Sequence, residues 1–145
     1  MPEKETLERA KEDEREGKSP STQAGEFVRE EMHHIREGKH GARSTKQAIA
    51  IGLSKARRAG VKLGAPKEGA SESTKKQAAR DSAKAGSKRK PSAKRSRATL
   101  NALKREGHSA ASKPSLSRQA KSAARKRSAA SRSQSAQKAA RTRAR

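Results

Sequence analysis

Of the fourteen apolar residues larger than alanine in this chain, nine fall between positions 27 and 63: Phe27, Val28, Met32, Ile35, Ile49, Ile51, Leu53, Val61 and Leu63. Burial of apolar surface is the main favourable term in folding, so any core is expected there. Beyond Gly64 only Leu100, Leu103 and Leu116 remain. Leu, Ile, Val and Phe together number twelve of 145, well under the roughly 20% below which a highly charged chain is read as disordered. The expected fold class is mostly α with extensive disorder. An acidic helical arm occupies residues 1–18, a small helical hairpin 19–63, and a long basic, low-complexity tail with transient helices 64–145.

One stretch combines apolar periodicity, capping chemistry and charge. Ser44 is a good N-cap and Gln47, three residues on, completes a capping-box pattern. Ile49, Leu53, Ala56 and Gly60 recur at three- and four-residue spacing, and Gly60 supplies the left-handed residue that ends many helices. Lys46, Lys55, Arg57 and Arg58 lie on the other face. The preceding helix opens at Ser19-Pro20 and stops at Gly38, with Ala24, Phe27, Val28, Glu31, Met32 and Ile35 on one stripe. Phe27, the sole aromatic, is expected to anchor it on the Ser44 helix across the loop 38–43, giving an αα-hairpin. The same residues admit a helix-turn-helix, with Arg43, Lys46 and Gln47 at the start of a recognition helix, but the loop is longer than that motif's usual turn.

Residues Ser44, Lys46, Gln47, Ala48, Ile49, Ala50, Ile51, Gly52, Leu53, Ser54, Ala56 and Arg57 resemble the signature S-x-K-Q-A-I-A-I-(A/G)-L-S-x-A-R of an uncharacterised family of small basic bacterial proteins. The resemblance runs from about Glu3 to about Leu63 and implies no activity, since that family has none assigned. The tail is similar in composition to those of linker-histone-like nucleoid proteins.

Charge is strongly segregated. Residues 1–40 hold eight Lys/Arg against eleven Asp/Glu, a net of −3, whereas 41–145 hold thirty against four, a net of +26. Such a density seeks a polyanion. Lys88, Arg89 and Lys90, then Lys94, Arg95 and Arg97, then Lys104 and Arg105, then Arg125, Lys126 and Arg127, and finally Arg141, Arg143 and Arg145 form clusters spaced by small residues. With Arg43, Lys46, Lys55, Arg57 and Arg58 they are the candidate nucleic-acid-binding residues. Arg forks onto phosphate and Lys acts as a point charge. No aromatic residue lies in the tail, so base stacking is lacking and non-specific duplex binding is favoured over single-strand binding. The expected partner is DNA, with RNA undistinguished from it. A stress- or desiccation-protective hydrophilic chain is the reading from another class. Residues 72–84, 93–106 and 114–140 are expected to pass from coil to helix on DNA, because their like charges repel until phosphate intervenes. A marginal hairpin also implies a protein partner or self-association.

The chain has no 18-residue apolar run and an acidic N-terminus, which argues against a membrane segment or a signal peptide and for a cytoplasmic, nucleoid-associated protein. Cysteine is absent. Glu30-x-x-His33 and Glu31-x-x-His34 have the spacing of di-metal bundles, but the histidines are expected to be solvated, paired with Glu30 and Glu37. Ser73-x-x-Lys76 matches a nucleophile motif only by letter. No enzyme, metal or cofactor is expected. The structural residues are Phe27, Ile35, Ser44, Gln47, Ile49, Leu53 and Gly60.

Overall fold

The fold is built outward from the crossing of two helices. In the computed structural model, which describes residues 1–67, 69–87 and 89–144, α2 (Pro20–Arg36) and α3 (Thr45–Arg58) form the central pair. Ser44 caps α3 by accepting a hydrogen bond from the Gln47 amide at 3.2 Å. The reciprocal half of the capping box is displaced by one residue, because Gln47 Oε1 accepts from the Arg43 amide at 2.7 Å rather than from Ser44. The chain leaves α3 through Gly60 at φ +102°, and the Val61 amide closes the end on the Ala56 carbonyl.

The two helices approach closely because Gly52 faces Val28: a methyl group on Gly52 would lie 2.7 Å from the Val28 Cα. Two small apolar clusters flank this crossing. Phe27, fully buried, packs with Ala10, Ala24 and Ala56, bordered by Leu7, Leu53, Val61 and Leu63. Ile35 and Met32 pack with Ala42, Ala48, Ala110 and Ala111, bordered by Val28, Ile49 and Leu116.

Helix α1 (Lys4–Arg15) lies against α2, with Thr6 and Ala10 buried. Arg9 Nε donates to Glu26 Oε2 at 2.6 Å and Lys39 Nζ to Glu3 Oε1 at 3.1 Å. Its sequence predicts an arm that is solvated on nearly every side or folds over the basic tail. It does neither, since Leu7 and Ala10, few as they are, complete the Phe27 cluster.

The expectation of extensive disorder after residue 63 is overturned. Four further α-helices follow: α4 (Glu72–Ala83), α5 (Ala93–Lys104), α6 (Lys113–Arg125) and α7 (Ala129–Arg143), with a 3-10 turn at Ser109–Ala111. The spans expected to be coil in the free chain are thus helical. Two features oppose the like-charge repulsion, although α5 has neither a side-chain cap nor a buried residue, and α6 and α7 bury none. Ser71, Ser112 and Ser128 each accept a hydrogen bond from the amide three residues on, capping α4, α6 and α7. Alanine, discounted when only large side chains are scored, lets backbones pack closely, and Ala78, Ala110 and Ala111 are all buried. Low complexity in sequence therefore does not mean absence of tertiary structure here.

Three attachments join this region to the hairpin. On α4, Asp81 is buried and accepts from Ser54 Oγ at 2.7 Å, Arg58 Nε at 2.8 Å and Gln77 Nε2 at 3.1 Å. At the 3-10 turn, Thr45 Oγ1 donates to the Ala110 carbonyl at 2.6 Å and Arg36 Nε to the Ala111 carbonyl at 2.9 Å. In the α2–α3 loop, the Gly41 and Ala42 amides donate to the Leu103 and Gly107 carbonyls at 2.9 and 3.0 Å. A methyl group on Gly41 would overlap the Glu106 carbonyl. This docking buries one side of the N-terminal end of α3, where a helix-turn-helix would need an open approach. Helix α7 makes no substantial contact with the other helices.

Candidate functional site

The candidate cations separate into two groups by what their side chains touch. Those of α3 are mostly engaged within the fold. Lys55 binds Glu31, and also Glu30 Oε1 at 3.4 Å. Arg58 is held by Asp81, and Arg57 Nη2 reaches the Gly64 carbonyl at 3.4 Å. Burial alone would raise the Asp81 carboxyl, but hydrogen bonds from Ser54, Arg58 and Gln77 outweigh it and hold the group below the usual carboxylate range. Only Arg43 and Lys46 of this set are exposed and outside any ion pair among the described residues.

The second group is uncovered. Arg89 and Lys90 precede α5, which carries Lys94, Arg95, Arg97 and Lys104 and ends at Arg105. Arg125 closes α6, Lys126 follows it, and Arg141 and Arg143 lie in the last turn of α7. All of these are exposed. Arg127 is partly engaged, donating through Nη2 to the Ser131 carbonyl at 3.0 Å, and so fixes the start of α7. Lys88 and Arg145 lie outside the described residues. Reading cations by adjacency overlooks Lys113, Arg118, Lys121, Arg132 and Lys138, which belong to the same exposed helices. Their signal is helical spacing rather than neighbouring charge.

From Arg89 onward the sequence contains eighteen Lys/Arg and one acid, Glu106. Among the described residues, none of those cations takes part in a salt bridge; every such pair falls at or before Asp81. The acids of the first forty residues are engaged nearer home. Glu3 is held below the usual carboxylate range by hydrogen bonds from His34 and Lys39. Hydrogen bonds to Asp13 and Glu16 push the Lys18 ammonium up. No helix among the described residues is long and apolar enough to cross a membrane.

The histidines divide as well. His33 is exposed, whereas His34 is largely enclosed and its Nε2 meets Glu3 Oε1 at 2.9 Å. His40 is buried beside Glu31. Of His33 and His34, both expected to be solvated, only His33 is exposed. Glu30 and Glu31 are both almost fully enclosed; Glu31 falls on the core-facing stripe of α2 in sequence, but its pairing with His40 across the loop has no local signal.

The arrangement is thus that of a small all-helical basic protein with an enclosed acidic cluster and an open cationic flank. Residues 19–68 match the model of a family described as a family of unknown function, DUF6496. No curated protein and no solved structure matches the chain.

Proposed function

We propose that this protein is a non-enzymatic binder of double-stranded nucleic acid, DNA foremost, which engages the phosphate backbone through α5, α6 and α7 without reading sequence, as a nucleoid-associated protein would. The observation that carries this reading is the unpaired cationic flank. Seventeen described Lys/Arg between Arg89 and Ala144 face one acid and no salt bridge. A surface of that density concentrates counterions, and their release on contact with phosphate drives association. Alanine and serine between the cations keep the helices slim enough to lie against a backbone, and the lack of any aromatic residue in this half argues for duplex over single strands. The compositional likeness of the tail to linker-histone-like nucleoid proteins agrees with this role.

Gel-shift titration on random-sequence duplex DNA, with duplex RNA as competitor, tests the reading. Engagement of about eight phosphates should lower affinity by several powers of ten between roughly 50 and 200 mM salt. Absent or salt-indifferent binding would refute it, and preferential displacement by RNA would move the partner from DNA to RNA.

A further inference from the structure

On the side of α2 facing the α2–α3 loop, Glu31, His34 and His40 bring one donor atom each to within 4.8 Å of one another. Glu31 is 1% exposed, and its Oε2 is a buried carboxylate oxygen that no hydrogen-bond donor reaches. An unmet buried oxygen of this kind is costly.

His40 faces that oxygen with the wrong polarity. Its Nδ1 lies 3.0 Å from the Gly41 carbonyl, which can only accept, so Nδ1 carries the hydrogen. In a neutral imidazole the other nitrogen, Nε2, then presents a lone pair, and it lies 3.3 Å from the unmet Glu31 Oε2. Two electron pairs in buried contact repel unless a proton or a metal cation sits between them, and titration with metal distinguishes the two. Lys55 does not fill that place, since it binds the opposite oxygen, Oε1. That ammonium is shared between two enclosed carboxylates, Glu30 and Glu31.

We propose that Glu31, His34 and His40 bind a divalent transition-metal ion, with zinc the foremost candidate. Two imidazoles and one carboxylate oxygen are an N2O set, which suits zinc and its neighbours and is poorly suited to magnesium or calcium. Donation from His40 Nδ1 to a backbone carbonyl is the outer contact that orients metal-bound histidines. His34, whose side chain is 12% exposed and whose Nε2 already meets Glu3 Oε1 at 2.9 Å, opens the cluster to the shallow groove lined by Glu3, Arg9, Glu30 and Lys39. Small side-chain shifts draw the three donors onto an ion at about 2 Å, and water completes the coordination. The ion ties α2 to the loop whose Gly41 and Ala42 hold Leu103 and Gly107. Its role is therefore structural, bracing the anchorage of the basic helices.

The full-length protein, stripped with chelator, is titrated with zinc by calorimetry at pH 7.5 and with cobalt by visible absorption. One saturable equivalent is expected, with a raised melting temperature and the intense d–d bands of a low-coordinate cobalt site. His34→Gln and His40→Gln should each weaken binding at least tenfold, while His33→Gln and His108→Gln leave it unchanged. Circular dichroism confirms that each variant is folded, and because His34 is less deeply buried than His40, His34→Gln is the decisive one should His40→Gln unfold. Absence of saturable binding by the folded protein, or equal binding by folded His34→Gln, would overturn the site. So would a metal-free protein whose His40 carries both ring protons at pH 7.5 and takes up no zinc.

Discussion

Gly52 of α3 and Val28 of α2 meet backbone to backbone, with room for a hydrogen and none for a methyl group: a Cβ on Gly52 would lie 2.7 Å from the Val28 Cα and 2.9 Å from its amide nitrogen. Gly52→Ala would gain about 1 kcal/mol of helix propensity, but the atoms it strikes are backbone and cannot rotate away. Overpacking of this kind costs typically 1–3 kcal/mol, occasionally more. We expect a net loss of stability in urea melts, where an increase would show that the helices can part freely.

Asp81 links α4 to α3, and its depressed carboxyl makes that link sensitive to acid. A group whose folded pKa lies below its unfolded value of about 3.9 stabilises fully above that value and loses its contribution as pH falls from there through the lower folded value. Asp81→Asn should therefore be less stable than the parent at pH 7, by roughly 1–3 kcal/mol from the hydrogen bonds disturbed. The gap should begin to narrow near pH 4 and close as pH falls through the depressed folded value. Thermal melts across pH for both proteins provide the check, and a gap constant with pH would deny the carboxylate its role.

Circular dichroism on the free protein should show a predominantly helical chain, since 69% of the described residues are helical. Addition of duplex DNA should change the spectrum little. A coil-like spectrum that turns helical on DNA would contradict the packed arrangement.

The two groups of cations should behave differently as variants. Glutamine at Arg125, Lys126, Arg141 and Arg143 together should flatten the slope of log affinity against log salt by up to about 3 to 4, near 0.9 for each phosphate no longer engaged. Lys55→Met should leave that slope unchanged while lowering stability by about 3 kcal/mol or more, because Glu30 and Glu31 lose their buried partner. Filter binding and denaturant melts separate the two effects.

Local pattern was enough for much of this architecture. Ser44, Gly60 and the Phe27–Ile35 stripe mark α2 and α3 to within a residue or two, and the spans expected at 72–84 and 93–106 coincide closely with α4 and α5. The expected span 114–140 is in fact two helices, divided at Lys126–Ser128 where Ser128 caps α7. What local pattern does not carry is partnership over long separations, such as Thr45 with Ala110 or Ser54 with Asp81. Alanine is ambiguous for the same reason: Ala111 is fully buried, yet nothing in its neighbourhood of serines and a lysine distinguishes it from exposed alanines. The enclosed Glu31–His40 pair was likewise hidden, because a glutamate on a helix and a histidine in a loop acquire their meaning only when the loop folds back.

The attachments at Asp81, Gly41 and Thr45 also fix how much of a polymer one molecule can cover. An unfolded tail of 82 residues, drawn out at about 3.3 Å per residue, would run some 270 Å, or about eighty base pairs at 3.4 Å each. Helices of 12, 13 and 15 residues extend only about 18 to 22 Å apiece at 1.5 Å per residue. Each then lies along five to seven base pairs. A lattice of DNA should accordingly saturate with many closely spaced molecules rather than a few outstretched ones, and the occluded length per molecule becomes a ruler for whether the attachments hold.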